Sequence, residues 1–83
     1  MDIKQEIRGY VAEHFLPGGQ GLEDTTPLIS GGLIDSIGML GLISFMESRF
    51  GVEFMPREVD AHTLDNVESI AALVERKVAA QAG

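Results

Sequence analysis

The sequence predicts an all-α fold, a small four-helix bundle with three longer helices, one short helix and a long packed loop between the first and second helices. Apolar residues recur at steps of three and four along three segments. No stretch alternates polar and apolar residues for long enough to form a strand, and glycine or proline stands where the helical periods break. A chain of 83 residues fits one domain, which we assign to 1–83.

The first helix is predicted to begin after Asp2 and to end at Leu16. Asp2 is a capping residue with Gln5 three positions on, and the sequence Pro17-Gly18-Gly19 stops the helix. One face carries the apolar residues Ile3, Ile7, Tyr10, Val11 and Phe15.

The loop from Pro17 to about Asp35 follows neither a helical nor a strand period, yet it is too apolar for a solvated linker. We expect it to pack against the core, and connections of this length in compact domains are often functional. Its apolar residues are Leu22, Leu28, Ile29, Leu33 and Ile34.

The second helix is predicted over 36–50, with Gly51 as its C-cap. Its buried stripe consists of Met39, Leu42, Ile43, Met46 and Phe50.

Two more helices are predicted in the last third of the chain. Pro56 occupies a first-turn position ahead of a short helix over 57–61. The final helix opens with Asp65 and Glu68 in capping-box spacing. Its apolar face carries Val67, Ile70, Ala71, Val74 and Val78.

Composition excludes several classes of function. Six Lys+Arg against 13 Asp+Glu give a net charge of −7, which opposes binding to nucleic acid. No apolar run approaches a membrane span and the N-terminus is too polar for a signal peptide, so we expect a cytoplasmic protein without membrane insertion. The absence of cysteine excludes disulfides and thiolate zinc sites. His14 and His62 lie far apart without further ligands, so no metal site is predicted.

The stretch around Ser36 is the strongest candidate site. Gly31 and Gly32 permit a tight turn, and Asp35 and Ser36 then stand at the mouth of the second helix. A helix N-terminus favours anions, so a phosphate esterified to Ser36 would be stabilised there. The alternative is that Asp35 or Ser36 is simply an N-cap. No base, nucleophile and orienting group come together as in an active site, so we do not expect an enzyme.

The outer face of the second helix is small and uncharged, unlike an ordinary solvated face. Each glycine in a helix interior destabilises the helix by about 1 kcal/mol relative to alanine, so the presence of Gly38 and Gly41 requires an explanation. Close approach of a partner and tight contact with the preceding loop are the two explanations. With Met39 at the centre of the buried stripe, the outer face contains Ile37, Leu40, Gly41, Ser44 and Ser48. The first four of these are the predicted partner-binding residues.

The sequence Gly32-Leu33-Ile34-Asp35-Ser36-Ile37 resembles the Asp-Ser-Leu type motif of acyl and peptidyl carrier proteins. The resemblance covers nearly the whole chain and includes the helix plan, Phe50-Gly51-Val52-Glu53-Phe54 and Thr63-Leu64-Asp65-Asn66-Val67. It implies that Ser36 carries a phosphopantetheine arm derived from coenzyme A, with Asp35 as its acidic neighbour and Ile37 as a contact for partner enzymes. The arm would supply the thiol that the chain lacks and hold the cargo as a thioester.

The departures from the family pattern favour a subtype. Fatty-acid carriers typically have an acidic second helix, whereas here Gly38 and Gly41 occupy places where acids are common. The chain looks more like stand-alone aminoacyl carriers, including D-alanyl carrier proteins, and nonribosomal carrier domains. This resemblance implies a monomer served by a phosphopantetheinyl transferase, an adenylate-forming ligase and a downstream transferase or synthase. A fatty-acid or polyketide carrier and a non-covalent helical interaction module are the alternatives.

Overall fold

The computed structural model describes residues 2–16, 22–60 and 62–82. In chain order these contain α1 (Ile3–Phe15), α2 (Ser36–Phe50), a 3-10 turn (Pro56–Glu58) and α3 (Val67–Ala82). No strand occurs within these ranges. The predicted all-α class is confirmed, as are three longer helices and a long connection between α1 and α2.

The ends of α1 and α2 follow from their capping residues. The Asp2 carboxylate accepts a hydrogen bond from the Gln5 backbone N–H at 3.1 Å, which confirms the predicted start of α1. At the end of α2, Gly51 adopts the left-handed conformation with φ 68°, as predicted for a glycine C-cap. The predicted stop signal Pro17-Gly18-Gly19 lies outside the described residues.

The predicted short helix over 57–61 is wrong in extent. The structure has a single 3-10 turn that starts at Pro56 and ends at Glu58, and position 61 lies outside the described residues. Beyond this turn, the Asp60 carboxylate accepts a hydrogen bond from the Thr63 backbone N–H at 2.7 Å. This bond starts a separate turn and so prevents the helix from continuing.

The predicted cap of the last helix is also wrong. Asn66, not Asp65, precedes α3, and its side-chain oxygen accepts a hydrogen bond from the Ser69 backbone N–H at 2.7 Å. The Glu68 backbone N–H donates to the Asp24 carbonyl at 3.0 Å. The first turn of α3 is therefore capped by one neighbouring side chain and by the loop after α1, while Asp65 is free to bond elsewhere.

The core lies where the three helices and the long loop meet. Leu28 and Ile34 are 0% and 2% exposed, which confirms the predicted packing for the part of the loop from residue 22 onward. From the predicted faces, Phe50 is only half-buried, as are Ile3, Tyr10, Phe15 and Val78. The fully buried members of those faces are Ile7, Val11, Met39, Leu42, Ile43, Met46, Val67, Ile70, Ala71 and Val74.

Candidate functional site

Ser36 is the first residue of α2, and its side chain is exposed. The N-cap is Asp35, whose Oδ1 accepts a hydrogen bond from the Gly38 backbone N–H at 2.7 Å. The capping alternative therefore holds for Asp35, while the Ser36 hydroxyl is not needed for capping. A phosphate on that hydroxyl would lie at the positive end of a 15-residue helix, where anions are stabilised.

The turn that precedes Ser36 is closed by hydrogen bonds. Leu33 and Ile34 both donate their backbone N–H to the Leu28 carbonyl at 2.9 Å. Gly32 adopts φ 77°, a conformation that other residues reach only at a cost. Because Leu28 and Ile34 are buried, this turn fixes the chain immediately before the candidate site.

Asp65 braces this loop from the start of α3. Its Oδ1 accepts hydrogen bonds from the backbone N–H groups of Ile29 and Ser30, both at 2.8 Å, and its Oδ2 accepts one from the Ser30 hydroxyl at 2.7 Å. These bonds from Ser30 and Ile29 lower the pKa of the Asp65 carboxyl below its ordinary value. Sequence reasoning assigned Asp65 to capping and missed this role, since a contact across 35 residues leaves no local pattern.

An open groove of about 580 Å³ lies beside Ser36. Ser36 itself forms part of its wall, together with the charged side chains of Asp35 and Asp60. Its apolar lining comes from the loop, from α2 and from the segment before α3, and consists of Ile29, Ile34, Met39, Leu40, Val59 and Leu64. A group attached to Ser36 therefore has an apolar surface within its immediate surroundings.

The predicted outer face of α2 is exposed in the structure. Ile37 is 79% exposed and Leu40 is 64% exposed, values that are large for aliphatic side chains. Gly41 and Ser44 are also exposed. The structure thus places the four predicted partner-binding residues on one accessible surface next to Ser36.

The two glycines of α2 have an explanation that the sequence analysis did not consider. A Cβ atom at Gly38 would lie 2.7 Å from Cε1 of Phe15, and one at Gly41 would lie 3.3 Å from the Tyr10 hydroxyl. Both of these neighbours belong to α1, and a Cβ at Gly38 would also lie 3.2 Å from Oδ1 of Asp35, where the preceding loop ends. Phe15 packs so closely against the first turn of α2 that only a residue without a side chain fits beside it.

The acidic residue of α2 is occupied within the chain. Glu47 accepts a hydrogen bond from the Phe54 backbone N–H at 2.9 Å, which holds the segment that follows the helix. Arg49 pairs with Glu6 of α1 through two hydrogen bonds, and this contact lowers the pKa of the Glu6 carboxyl. The exposed face of α2 next to Ser36 is consequently apolar and uncharged.

The two histidines lie on the surface. His14 and His62 are both exposed, and His14 stacks on the Tyr10 ring with centroids 4.0 Å apart. Within the ranges that the structure describes, no three His, Cys, Asp or Glu side chains are grouped as a metal ion would require. Over the same ranges, no helix has the length and apolar character needed to cross a membrane.

No protein-family model matches the chain. The chain is 28% identical over 75 residues to a protein of Serratia sp. (strain ATCC 39006) that is named a probable acyl carrier protein, PigG. The match covers 89% of this chain and 86% of that protein. This similarity to a probable acyl carrier protein supports the resemblance found in the sequence.

Proposed function

We propose that this chain, as a member of the acyl and peptidyl carrier family, holds its cargo as a thioester on a phosphopantetheine arm attached to Ser36. The position of Ser36 carries this proposal: an exposed hydroxyl at the first residue of α2, with capping supplied by Asp35. The loop before it is braced by Asp65, so the hydroxyl is presented on a fixed element. The setting proposed is that expected from the sequence, a cytoplasmic monomer.

Attachment of the arm requires only that a phosphopantetheinyl transferase reach the Ser36 oxygen. That oxygen forms a bond to the phosphorus that carries pantetheine in coenzyme A, the bond to adenosine 3′,5′-bisphosphate breaks, and the hydroxyl proton passes to the transferase or to solvent. The new phosphodiester is an anion at the N-terminus of α2, where the helix dipole stabilises it. Thereafter the arm contributes the thiol and this chain positions it.

The partner surface in this proposal is the exposed face of α2 that starts at Ile37. Ile37 and Leu40 supply apolar contacts beside the arm, and the exposed Gly41 and Ser44 add no charge to this surface. Exposed aliphatic side chains next to the attachment point can contact an apolar surface of an enzyme that must reach the arm. The partners are the transferase, a ligase that loads the arm and a downstream transferase or synthase.

For the cargo, we propose an aminoacyl group loaded by an adenylate-forming ligase. The face of α2 next to Ser36 carries no charged side chain, which supports this choice. The one acid of the helix, Glu47, stands eleven positions after Ser36 and accepts a hydrogen bond from the Phe54 backbone N–H. Carriers that meet basic enzymes use exposed acids on this helix. The acyl alternative, a fatty-acid or polyketide carrier, has in its favour the name acyl carrier given to the relative from Serratia.

The carrier proposal is tested by intact mass. Incubation with coenzyme A and a broad-specificity phosphopantetheinyl transferase is expected to add one arm to the wild type and none to Ser36→Ala. Ser48→Ala is the matched control, because Ser48 is an exposed serine of α2 outside the predicted partner-binding residues and its loss should leave the mass gain intact. A wild type without a mass gain would favour the non-covalent interaction module instead.

The cargo proposal is tested separately on protein that already carries the arm. The protein is offered to a panel of aminoacyl and fatty-acyl adenylating enzymes, and the mass of the adduct is read. We expect aminoacyl adducts in preference to long-chain acyl ones. Efficient loading with long-chain groups alone would refute the aminoacyl subtype and leave the carrier role intact.

A further inference from the structure

A second groove, of about 410 Å³, lies between α1 and α2 and shares no lining residue with the groove beside Ser36. A Cβ atom at Gly9 would have no atom within 4 Å, so this glycine leaves the groove open where another residue would place a side chain. The lining residues are Gln5, Glu6, Gly9, Tyr10 and Glu13 of α1 and Phe45 of α2. We call it the α1–α2 groove.

The α1–α2 groove has an aromatic wall. The rings of Tyr10 and Phe45 are half-buried and stack with their centroids 4.4 Å apart and their planes 22° apart. His14 stacks on Tyr10 at 4.0 Å, and Phe50 meets Phe45 edge to face at 6.2 Å, so both lining rings are held by aromatic neighbours. Aromatic rings attract cations over their faces, and most strongly where water is partly excluded.

The charges at the α1–α2 groove also favour a cation. Its charged lining residues are Glu6 and Glu13, and no lysine, arginine or histidine of the described ranges lines it. Glu6 is paired with Arg49, whereas Glu13 is exposed and forms no ion pair with a described residue. The sequence contains no Lys or Arg from position 9 to position 48. The carboxylate of Glu13 is therefore available to a cation from another molecule.

The α1–α2 groove borders the exposed face of α2. A Cβ atom at Gly41 would lie 3.3 Å from the Tyr10 hydroxyl, so Tyr10 approaches α2 at a residue of that face. Phe45 follows Gly41 by about one helical turn. A protein that covers Leu40 and Gly41 consequently reaches the rim of the groove.

We propose that the α1–α2 groove receives an arginine side chain of an enzyme that docks on the exposed face of α2. The guanidinium stacks on the aromatic wall and bonds to the Glu13 carboxylate. Arginine fits better than lysine, because its planar group stacks on rings, pairs with both carboxylate oxygens and is weakly hydrated. The identity of the partner rests on the proposed function, whereas the chemistry of the groove does not.

The groove is tested on the full chain without an arm, by NMR titration with N-acetylarginine amide and N-acetylcitrulline amide. Citrulline has nearly the shape of arginine and no charge. The readouts are the ring protons of Tyr10 and Phe45 and the backbone amide of Gly9. We expect arginine to bind about two- to fivefold more tightly than citrulline, as exposed cation–π contacts allow.

Two variants assign the binding to the groove. Gly9→Gln fills the open space with a residue that favours helix, so the fold should persist and the ring shifts should disappear. Glu13→Gln should reduce the advantage of arginine over citrulline. Glu75→Gln is the matched control, since it removes the same charge from an exposed acid of α3 that does not line the groove, and it should leave binding unchanged.

The contact with an enzyme is tested on protein that carries the arm. For an adenylating enzyme that loads the wild type, Gly9→Gln and Glu13→Gln should each lower kcat/KM about two- to fivefold through KM, with kcat unchanged. Glu75→Gln should alter neither constant. A contact that only supports the fold would instead show as a loss of helical signal in circular dichroism.

Three results would overturn the inference. Equal binding of arginine and citrulline, or arginine shifts that survive Gly9→Gln, would refute the groove as a guanidinium site. Loading that is unaffected by both groove variants would refute the contact with the enzyme. All three leave an arm on Ser36 in place. A wild type that gains no arm would refute the proposed function, and the titration of the unmodified chain would still decide the chemistry of the groove.

Discussion

Replacing Leu42 by alanine tests which face of α2 is buried. Leu42 is 0% exposed and lies in the core with Met39 and Met46, so its truncation leaves a cavity that the surrounding helices fill only in part. Substitutions of this kind cost about 2–5 kcal/mol. At about 0.05–0.15 kcal/mol per residue, a chain of 83 residues has a free energy of unfolding of about 4–12 kcal/mol. The loss is therefore a large share of the total.

Thermal and urea unfolding followed by circular dichroism measure this loss. For a domain of this size, each kcal/mol lowers the melting temperature by about 4–8 °C, so Leu42→Ala should lower it by about 10 °C or more. The matched control on the opposite face of the same helix is Ile37→Asp, at a position 79% exposed, with an expected effect within about 0.5 kcal/mol. A loss below about 1 kcal/mol at Leu42, or unfolding by Ile37→Asp, would refute the rotation of α2 described above.

Four further outcomes are expected. Ile37→Asp and Leu40→Asp should each lower kcat/KM for arm attachment or loading about tenfold with the helical signal unchanged, and an unaffected kcat/KM would remove them from the partner surface. The folded-state pKa of the Asp65 carboxyl is lowered, so its contribution to stability is complete above the ordinary value of 3.8 and is lost as the pH falls through the folded-state pKa. Asp65→Asn should therefore make the free energy of unfolding less dependent on pH between pH 5 and about 2. An unchanged pH dependence would contradict the brace. Gly9 is exposed in the interior of α1 with no atom within 4 Å of a new Cβ, so Gly9→Ala should stabilise the folded protein by about 0.5–1 kcal/mol. Gly51 has φ 68°, so Gly51→Ala should destabilise the folded protein by about 1 kcal/mol. The midpoints of urea unfolding distinguish the two signs. Loading should decline only modestly with added salt, and a steep decline would indicate a charged interface.

The features that were predictable from the sequence depend on local signals. The bounds of α2 follow from Asp35 at one end, Gly51 at the other and a helical apolar period between them, and the structure has the helix over the predicted residues. The same period placed Ile37 and Leu40 outward, because the angle between successive residues in a helix is fixed. The prediction of Ser36 at the mouth of α2 required no knowledge of tertiary contacts.

The features that were missed depend on contacts between distant segments. The reason for Gly38 lies in Phe15, which is 23 positions earlier (38 − 15 = 23), so the glycine gave no indication of its neighbour. Asp65 has the spacing of a cap to Glu68, but the loop at Ile29 and Ser30 offers it three hydrogen-bond donors, and Asn66 caps α3 instead. Local pattern alone cannot rank these competing partners.

The brace between Asp65 and the loop at Ser30 has a consequence for the order of events during synthesis. The ribosome makes Ser36 well before it makes Asp65, so a nascent chain exposes the serine before the contacts that hold its loop exist. A transferase that recognises the folded site must wait until the start of α3 has docked. Attachment of the arm would then report that the carboxyl-terminal part of the chain has been made and has folded, and chains that terminate before Asp65 would remain without an arm.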